Sequence, residues 1–187
     1  GEVLENARKC QSKFIYAGSS TAFSDEYLNP YAFAKRTGER ACEMYSKVFD
    51  TSTVIARFFN VYGPRQPITG PWATVIGLFE EQKKAGKPLT VVGNGEQRRD
   101  FTHVNDIVSG LIALSKDEWK CDIFSLGTGT NYSILDLVDM FKSDKVHLPP
   151  RPGEAKTTLA DTSLAKEKLG WNSTINLEDY IKEKIKC

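Results

Sequence analysis

A phenol and a primary amine stand four residues apart in Tyr31-Ala-Phe-Ala-Lys35. On a helix that spacing puts both on one face, within reach of each other. A phenol in neutral water is a poor base. A neighbouring ammonium favours the phenolate by Coulomb attraction, which lets the hydroxyl give up and recover a proton in general acid–base catalysis. Taken alone the pair says little, because a core tyrosine beside a solvated lysine is common in helices that do no chemistry. Its surroundings say more. Upstream, Lys13-Phe-Ile-Tyr-Ala-Gly18 is a compact apolar run ending in small residues, which predicts a buried parallel strand, and the hydroxyls of Ser19-Ser20-Thr21 follow at its carboxyl end. Open α/β sheets place their ligands at that edge.

The elements that must position these groups alternate. A short amphipathic helix is predicted over 2–12, with Val3, Leu4 and Ala7 on one side. A long helix is predicted from Asn29-Pro30 to about Phe49, with Asn29 as its cap and Pro30 in its first turn. Thr53 to Phe59 reads as a strand, and the Gly- and Pro-containing stretch 60–67 as a loop. Helix is expected over 72–85, strand over 89–92, a tight turn at Gly93-Asn-Gly95 and helix over 104–115. Strand follows over 122–126, then helices over 134–141, 164–169 (closed by Gly170) and 177–185. Strand alternating with helix places the chain in the α/β class with a parallel sheet. Gly127-Thr-Gly129 follows a strand but lacks the third glycine of a dinucleotide-binding loop, and no such loop stands at the beginning of the chain.

Composition narrows the function classes. The 187 residues carry 25 Lys plus Arg against 24 Asp plus Glu, a net charge of +1. That balance, with no basic block, argues against nucleic acid or an anionic membrane as partner. No apolar run approaches the length of a membrane span. Cys10, Cys42, Cys121 and Cys187 form no CxxC pair, and His103 and His147 have no ligand-spaced companion, so no metal is expected. Scattered thiols suit a reducing compartment, and a cytoplasmic location is expected. A chain that opens on Gly1 and runs directly into Glu2-Val-Leu-Glu reads as the middle of a longer protein.

With Ser19, Tyr31 and Lys35 in view, the chain resembles the extended short-chain dehydrogenase/reductase family, in its branch of NAD-dependent nucleotide-sugar epimerases and dehydratases. Five further segments are similar in order and type. They are Arg57-Phe-Phe-Asn-Val-Tyr-Gly-Pro-Arg-Gln66, Gly93-Asn-Gly-Glu-Gln-Arg-Arg-Asp-Phe-Thr-His-Val104 with the following Asn105-Asp106, Phe124-Ser-Leu-Gly-Thr-Gly129, Arg151-Pro-Gly-Glu154, and Ala160 through Trp171. The similarity covers about residues 13–185. It implies the C-terminal part of such an enzyme: a partial Rossmann-like parallel sheet plus a smaller α/β substrate-binding region. Residues 1–62 would belong to the dinucleotide-binding domain and 63–187 mainly to the nucleotide-sugar region, with the strand near 122–126 a candidate to return to the first sheet. Strand 13–18 would be interior to the complete sheet.

The resemblance also implies roles. Ser19 would hydrogen-bond the reacting sugar hydroxyl, and Tyr31 would be the base. Lys35 would hold the nicotinamide ribose and favour the phenolate, with the nicotinamide cation acting in the same direction. Phe58 would touch the nicotinamide by its backbone. Asn60, Arg99 and Arg151 would contact the substrate diphosphate, the arginines as bidentate forks, and Glu154 its ribose. Arg99 could instead pair with Asp100 or Asp106, and Glu154 could be a solvated loop acid. Two departures bear on the reaction. Only eleven residues separate Ser19 from Tyr31, so the substrate-side loop is short, and Ser20 and Thr21 stand where sugar 4,6-dehydratases carry an acidic pair. Two neutral hydroxyls are poor proton donors to a leaving hydroxyl, which disfavours dehydration. The expectation is therefore epimerisation of a nucleotide-diphospho-sugar through a transient keto sugar, with NAD rather than NADP and in a homo-oligomer. The alternatives are a reductase or glucuronate decarboxylase of the same family, or a non-catalytic binding fragment without the dinucleotide loop.

Overall fold

A computed structural model describes residues 1–23, 25–70 and 72–186; Cys187, one of the scattered thiols, lies outside them. The strands are β1 (Phe14–Ser19), β2 (Thr53–Phe58), β3 (Val61–Tyr62), β4 (Leu89–Val92), β5 (Arg98–Asp100), β6 (Thr102–His103), β7 (Lys120–Leu126), β8 (Asn131–Ser133) and β9 (Lys145–Leu148). The helices are α1 (Glu2–Lys9), α2 (Pro30–Phe49), α3 (Val75–Lys84), α4 (Val104–Leu114), α5 (Ile134–Phe141), α6 (Ser163–Leu169) and α7 (Leu177–Lys184). The α/β class and the parallel sheet expected from the sequence are what the chain adopts. β1, β2 and β7 form a parallel sheet in the order β1-β2-β7. Ser19 pairs in register with Phe58, and Phe58 with Leu126, so the three strands finish side by side at one carboxyl edge.

β2 is central and buried on both faces, which is why Val54-Ile-Ala56 shows no polar alternation. On one face Ile55 joins Leu4 of α1 and Cys42 of α2; on the other, Val54, Ala56, Phe124 and Leu126 pack against Ile107 and Leu114 of α4, Ala165 of α6 and Trp171. A second core, around Tyr62, Phe79, Leu89, Phe101 and Phe141, is closed by α5 and α7. Local signals set the helix ends. Asn29 Oδ1 accepts from the Ala32 N–H at 2.8 Å to cap α2, Ser133 and Asp136 form a reciprocal capping box on α5, and Gly170 ends α6 at φ 59°.

The differences from the sequence reading are local. The first strand runs 14–19 rather than 13–18, so Ser19 is its last residue, and Ser20–Phe23 winds into a 3₁₀ turn. The first helix stops at Lys9 rather than residue 12. Among the described residues β1 is an edge strand, as expected for a chain that carries only part of the complete sheet. β3, β5, β6, β8 and β9 were not legible: none exceeds four residues, too short to display a period, and each exists only because a partner lies alongside.

Arg57 is a charge near the carboxyl end of the central strand. Its guanidinium donates to both carboxylate oxygens of Glu39 on α2, Nε to Oε1 at 2.9 Å and NH2 to Oε2 at 2.7 Å, and both side chains are buried. The pair pins the middle of α2 to the sheet. Arg57→Met leaves the Glu39 carboxylate buried with only Arg36, 3.0 Å away, to meet it, and should destabilise the chain by about 3 kcal/mol. Urea unfolding of Arg57→Met and of the Arg57→Met/Glu39→Met double variant checks this; the double variant should recover most of the loss, and equal losses would refute the pairing argument.

Candidate active site

The start of α2 brings the phenol and the ammonium together. Lys35 Nζ lies 5.7 Å from the centre of the Tyr31 ring and donates to the Ala17 carbonyl of β1 at 2.9 Å. The lysine is thus held by strand backbone rather than left to sample solvent, while Tyr31 remains 42% exposed. Ser19 is buried at the strand end, where its Oγ accepts from the Thr21 N–H at 3.2 Å, leaving the hydroxyl hydrogen to donate elsewhere. Phe58, its register partner, is half-buried at the same edge.

A second group converges on a cavity of about 300 Å³ whose lining includes Asn60, Arg99, Arg151 and Glu154. These residues come from three widely separated stretches, and the cavity is where they meet. Asn60 sits at φ 27°, a left-handed conformation that asparagine tolerates better than most residues. Its Nδ2 donates to the Asp100 carbonyl at 2.9 Å and to Thr158 Oγ1 at 3.2 Å. The amide nitrogen is committed to the scaffold, and only the oxygen is left for a ligand. Arg99 is buried and bonds Glu154 Oε1 at 3.2 Å. Burial pulls the Arg99 guanidinium below its ordinary value, and the Glu154 carboxylate pulls it back up. Arg151 is exposed and forms no ion pair among the described residues. A ligand would therefore meet one arginine already oriented and one free to close on it.

The two groups are joined. Asn29 caps α2 with its oxygen and, with its Nδ2, donates to the Gly153 carbonyl at 2.9 Å. Gly153 lies at φ +72°, and a Cβ there would stand 2.7 Å from the Leu28 carbonyl oxygen, so glycine is required for the approach. The cap of the Tyr31 helix thereby holds the segment that carries Arg151 and Glu154.

Asp100 and Asp106, the alternative partners for Arg99, are occupied elsewhere. Asp100 is fully buried, and its carboxylate accepts from the Thr128 N–H and hydroxyl at 2.9 and 2.7 Å, the Gly129 N–H at 3.0 Å and the Ala160 N–H at 3.1 Å. The Gly127-Thr-Gly129 turn is thus an anion cradle filled by the protein's own carboxylate. Asp106 accepts from Thr174 and Ile175. His103 Nδ1 accepts from the Asn105 N–H at 3.2 Å and caps α4; its burial, opposed by Asp106 and aided by Lys184, lowers its pKa and favours the neutral ring. His147 Nδ1 lies 2.7 Å from the Gly93 carbonyl oxygen. Sequence reasoning missed the Asp100 cradle and the Asn29–Gly153 link; Gly127-Thr-Gly129 was noticed only as a glycine pair after a strand that lacks the third glycine of a dinucleotide loop.

A parallel sheet with a tyrosine–lysine pair near its carboxyl edge, beside a cavity holding two arginines, defines an α/β protein of the Rossmann-fold epimerase and dehydratase class. The NAD dependent epimerase/dehydratase family matches residues 2–127, and the chain belongs to it. A putative UDP-glucose 4-epimerase of Methanocaldococcus jannaschii is 33% identical over 98% of the chain and 65% of its own length. The crystal structure of a Thermotoga maritima UDP-glucose 4-epimerase with UDP-glucose superposes with a TM-score of 0.89 at 28% identity, over 98% of this chain and 66% of that one. A Bacillus cereus UDP-glucuronic acid 4-epimerase in complex with UDP-glucuronic acid and NAD gives a TM-score of 0.87 at 30% identity, over 98% and 64%. The chain spans just under two thirds of each of these relatives.

Replacing Asp100 by asparagine puts an amide NH₂ among four hydrogen-bond donors. Leaving buried donors unmet is worth about 1–3 kcal/mol each, so Asp100→Asn should lose at least about 2 kcal/mol of stability, read as a lowered thermal midpoint by circular dichroism. An unchanged midpoint would mean that the cradle is not carried by the carboxylate.

Proposed function

We propose that the chain supplies the substrate grip and the proton-transfer residues for epimerisation of a nucleotide-diphospho-sugar, a UDP-hexose by its likeness to the relatives above. The observation that carries the reading is the convergence of Asn60, Arg99, Arg151 and Glu154 on one cavity tied through Asn29 and Gly153 to the start of the Tyr31 helix. Two arginines, one buried and one unpaired, suit a diphosphate, which accepts bidentate forks. Glu154, already beside Arg99, suits a ribose hydroxyl.

NAD, when bound, supplies a reversible hydride acceptor. Lys35, Tyr31 and the backbone of Phe58 are our assignment for its nicotinamide-ribose end, and the open carboxyl edge of the sheet supports it. The spare amides of the Gly127–Gly129 turn are taken by Asp100, so among the described residues that turn offers the dinucleotide pyrophosphate no cradle. Tyr31 takes the proton of the reacting sugar hydroxyl as the carbon is oxidised, and Ser19 donates a hydrogen bond to that oxygen. After the keto sugar has turned its other face, Tyr31 returns the proton and the inverted hydroxyl is formed. Lys35, beside the phenol, favours the phenolate by Coulomb attraction. On this reading residues 1–62 with the strand near 122–126 serve the cofactor side and 63–187 mainly the substrate side. Cys10, Cys42 and Cys121 are free, which fits our assignment to the cytoplasm. Among the described residues no helix is long and apolar enough to cross a membrane.

The test is product analysis by NMR on the protein carrying the full length of its relatives, supplied with NAD and with UDP-glucose or UDP-glucuronate. The epimer at the oxidised carbon is expected. Release of carbon dioxide from UDP-glucuronate would make it a decarboxylase, and no conversion of either sugar would overturn the reading. Tyr31→Phe in that protein should lower turnover by about 10²–10⁴-fold with substrate binding nearly unchanged. A loss confined to KM would remove Tyr31 from the proton transfer.

We further propose that the chain self-associates. Among the described residues the outer edge of β1 has no strand partner, and Phe33, Met44, Val48 and Phe49 of α2 are exposed. Light scattering after size exclusion at micromolar concentration should give a dimer or larger species; a clean monomer contradicts this.

A further inference from the structure

One aromatic ring lies beside the Tyr31 ring, on the segment that leads into the arginine-lined cavity, and the chemistry above does not use it. Trp72 is 71% exposed, with its ring centre 6.0 Å from that of Tyr31 and the two planes tilted by 50°. The three residues that follow it, Ala73, Thr74 and Val75, line the cavity that holds Arg99 and Arg151. The chain behind Trp72 is fixed. Thr74 Oγ1 donates to Gln66 Oε1 at 2.7 Å and accepts from the Gly77 N–H at 3.1 Å, capping α3. The other two indoles are committed to the scaffold: Trp119 donates to the Leu114 carbonyl, and Trp171 to Ser109 and the Asp106 carbonyl. Trp72 has no hydrogen-bond partner among the described residues, and its large apolar surface lies open at the point where two functional groups adjoin.

We infer that Trp72 is the platform for the sugar ring of the substrate, and that its face limits which hexoses can reach Tyr31. The inference rests on the reading of the cavity as the diphosphate site. With the diphosphate between Arg99 and Arg151, the sugar on its distal phosphate must reach Tyr31 to react, and Trp72 is the ring beside Tyr31 on the segment that leads into the cavity. The indole face carries the negative side of the ring quadrupole and meets the weakly positive C–H bonds on the apolar face of a pyranose. It holds the sugar without engaging the hydroxyls that must react. An axial substituent on the stacked face lifts the ring off the platform, and a sugar presenting a flat C–H face keeps contact.

The exposed indole is its own reporter, because Trp171 is buried and Trp119 is half-buried. Acrylamide quenching of this chain is measured with UDP-glucose and with UDP alone, and calorimetry gives the affinity of each. UDP-glucose should shield the exposed indole, and UDP should bind without shielding it. Trp72→Ala should weaken UDP-glucose about tenfold and leave UDP unchanged, with Trp72→Phe between them. Circular dichroism checks that the variants, altered at an exposed position, stay folded. If both ligands bind but neither shields the indole, or if Trp72→Ala binds UDP-glucose as the parent does, the platform is refuted while the diphosphate reading stands. Shielding by UDP alone would put the ring under the nucleotide and overturn the assignment. If neither ligand binds, the diphosphate reading fails and this inference with it.

Discussion

A carboxylate with no access to water organises the polar half of this protein. Asp100 gathers two backbone amides from the 127–129 turn, the Thr128 hydroxyl and the Ala160 amide on its two oxygens. Its carbonyl accepts from the Asn60 amide, and its own N–H donates to the Thr158 carbonyl at 3.2 Å. Three stretches far apart in sequence therefore meet at one residue. A buried anion without partners is prohibitively unfavourable, so the donors must arrive together for the charge to be tolerated, and the geometry is all-or-none. Arg99 precedes Asp100 on the same short strand and faces the cavity because its neighbour is fixed.

The long helix makes the second set of constraints, at two points along its length. Near its middle, Glu39 meets Arg57 of the central strand with two charge-assisted hydrogen bonds. At its start, Asn29 bonds both its own first turn and the Gly153 carbonyl. A single side chain thus sets where the tyrosine helix begins and where the segment of Arg151 and Glu154 lies. Any displacement of that segment by a ligand is felt at the cap of the helix that presents Tyr31. Lys35, one turn further on, is restrained by the Ala17 carbonyl of β1, so the ammonium is referred to the sheet as well as to the phenol.

Much of the scaffold was legible because its signals are local. Asn29-Pro30 announced the start of α2, Gly170 the end of α6, and the unbroken apolar run around Val54 a strand covered on both faces. The short strands were not legible, since β5 and β8 owe their conformation to each other across a gap of some thirty residues. Arg99 had two acidic candidates near at hand, Asp100 and Asp106, and its partner in the fold is Glu154. Nothing in the spacing favoured Glu154, and the choice follows from Asp100 and Asp106 being saturated by backbone donors that only folding delivers.

The sequence by itself determined the class of sheet, the helical spacing of Tyr31 and Lys35, and, through ordered motifs, the family, because each depends on residues close together along the chain. It also named Asn60, Arg99, Arg151 and Glu154. Tertiary structure decided that these four share one cavity, that the Asn60 amide nitrogen is spent on the scaffold, and that the Gly-Thr-Gly amides enclose Asp100 and leave nothing for a phosphate. It also put Trp72 beside Tyr31, forty-one positions further along the chain. Hydrogen-bond capacity is finite and is claimed by whichever partner folding brings within about 3 Å, a quantity that separation along a chain does not fix.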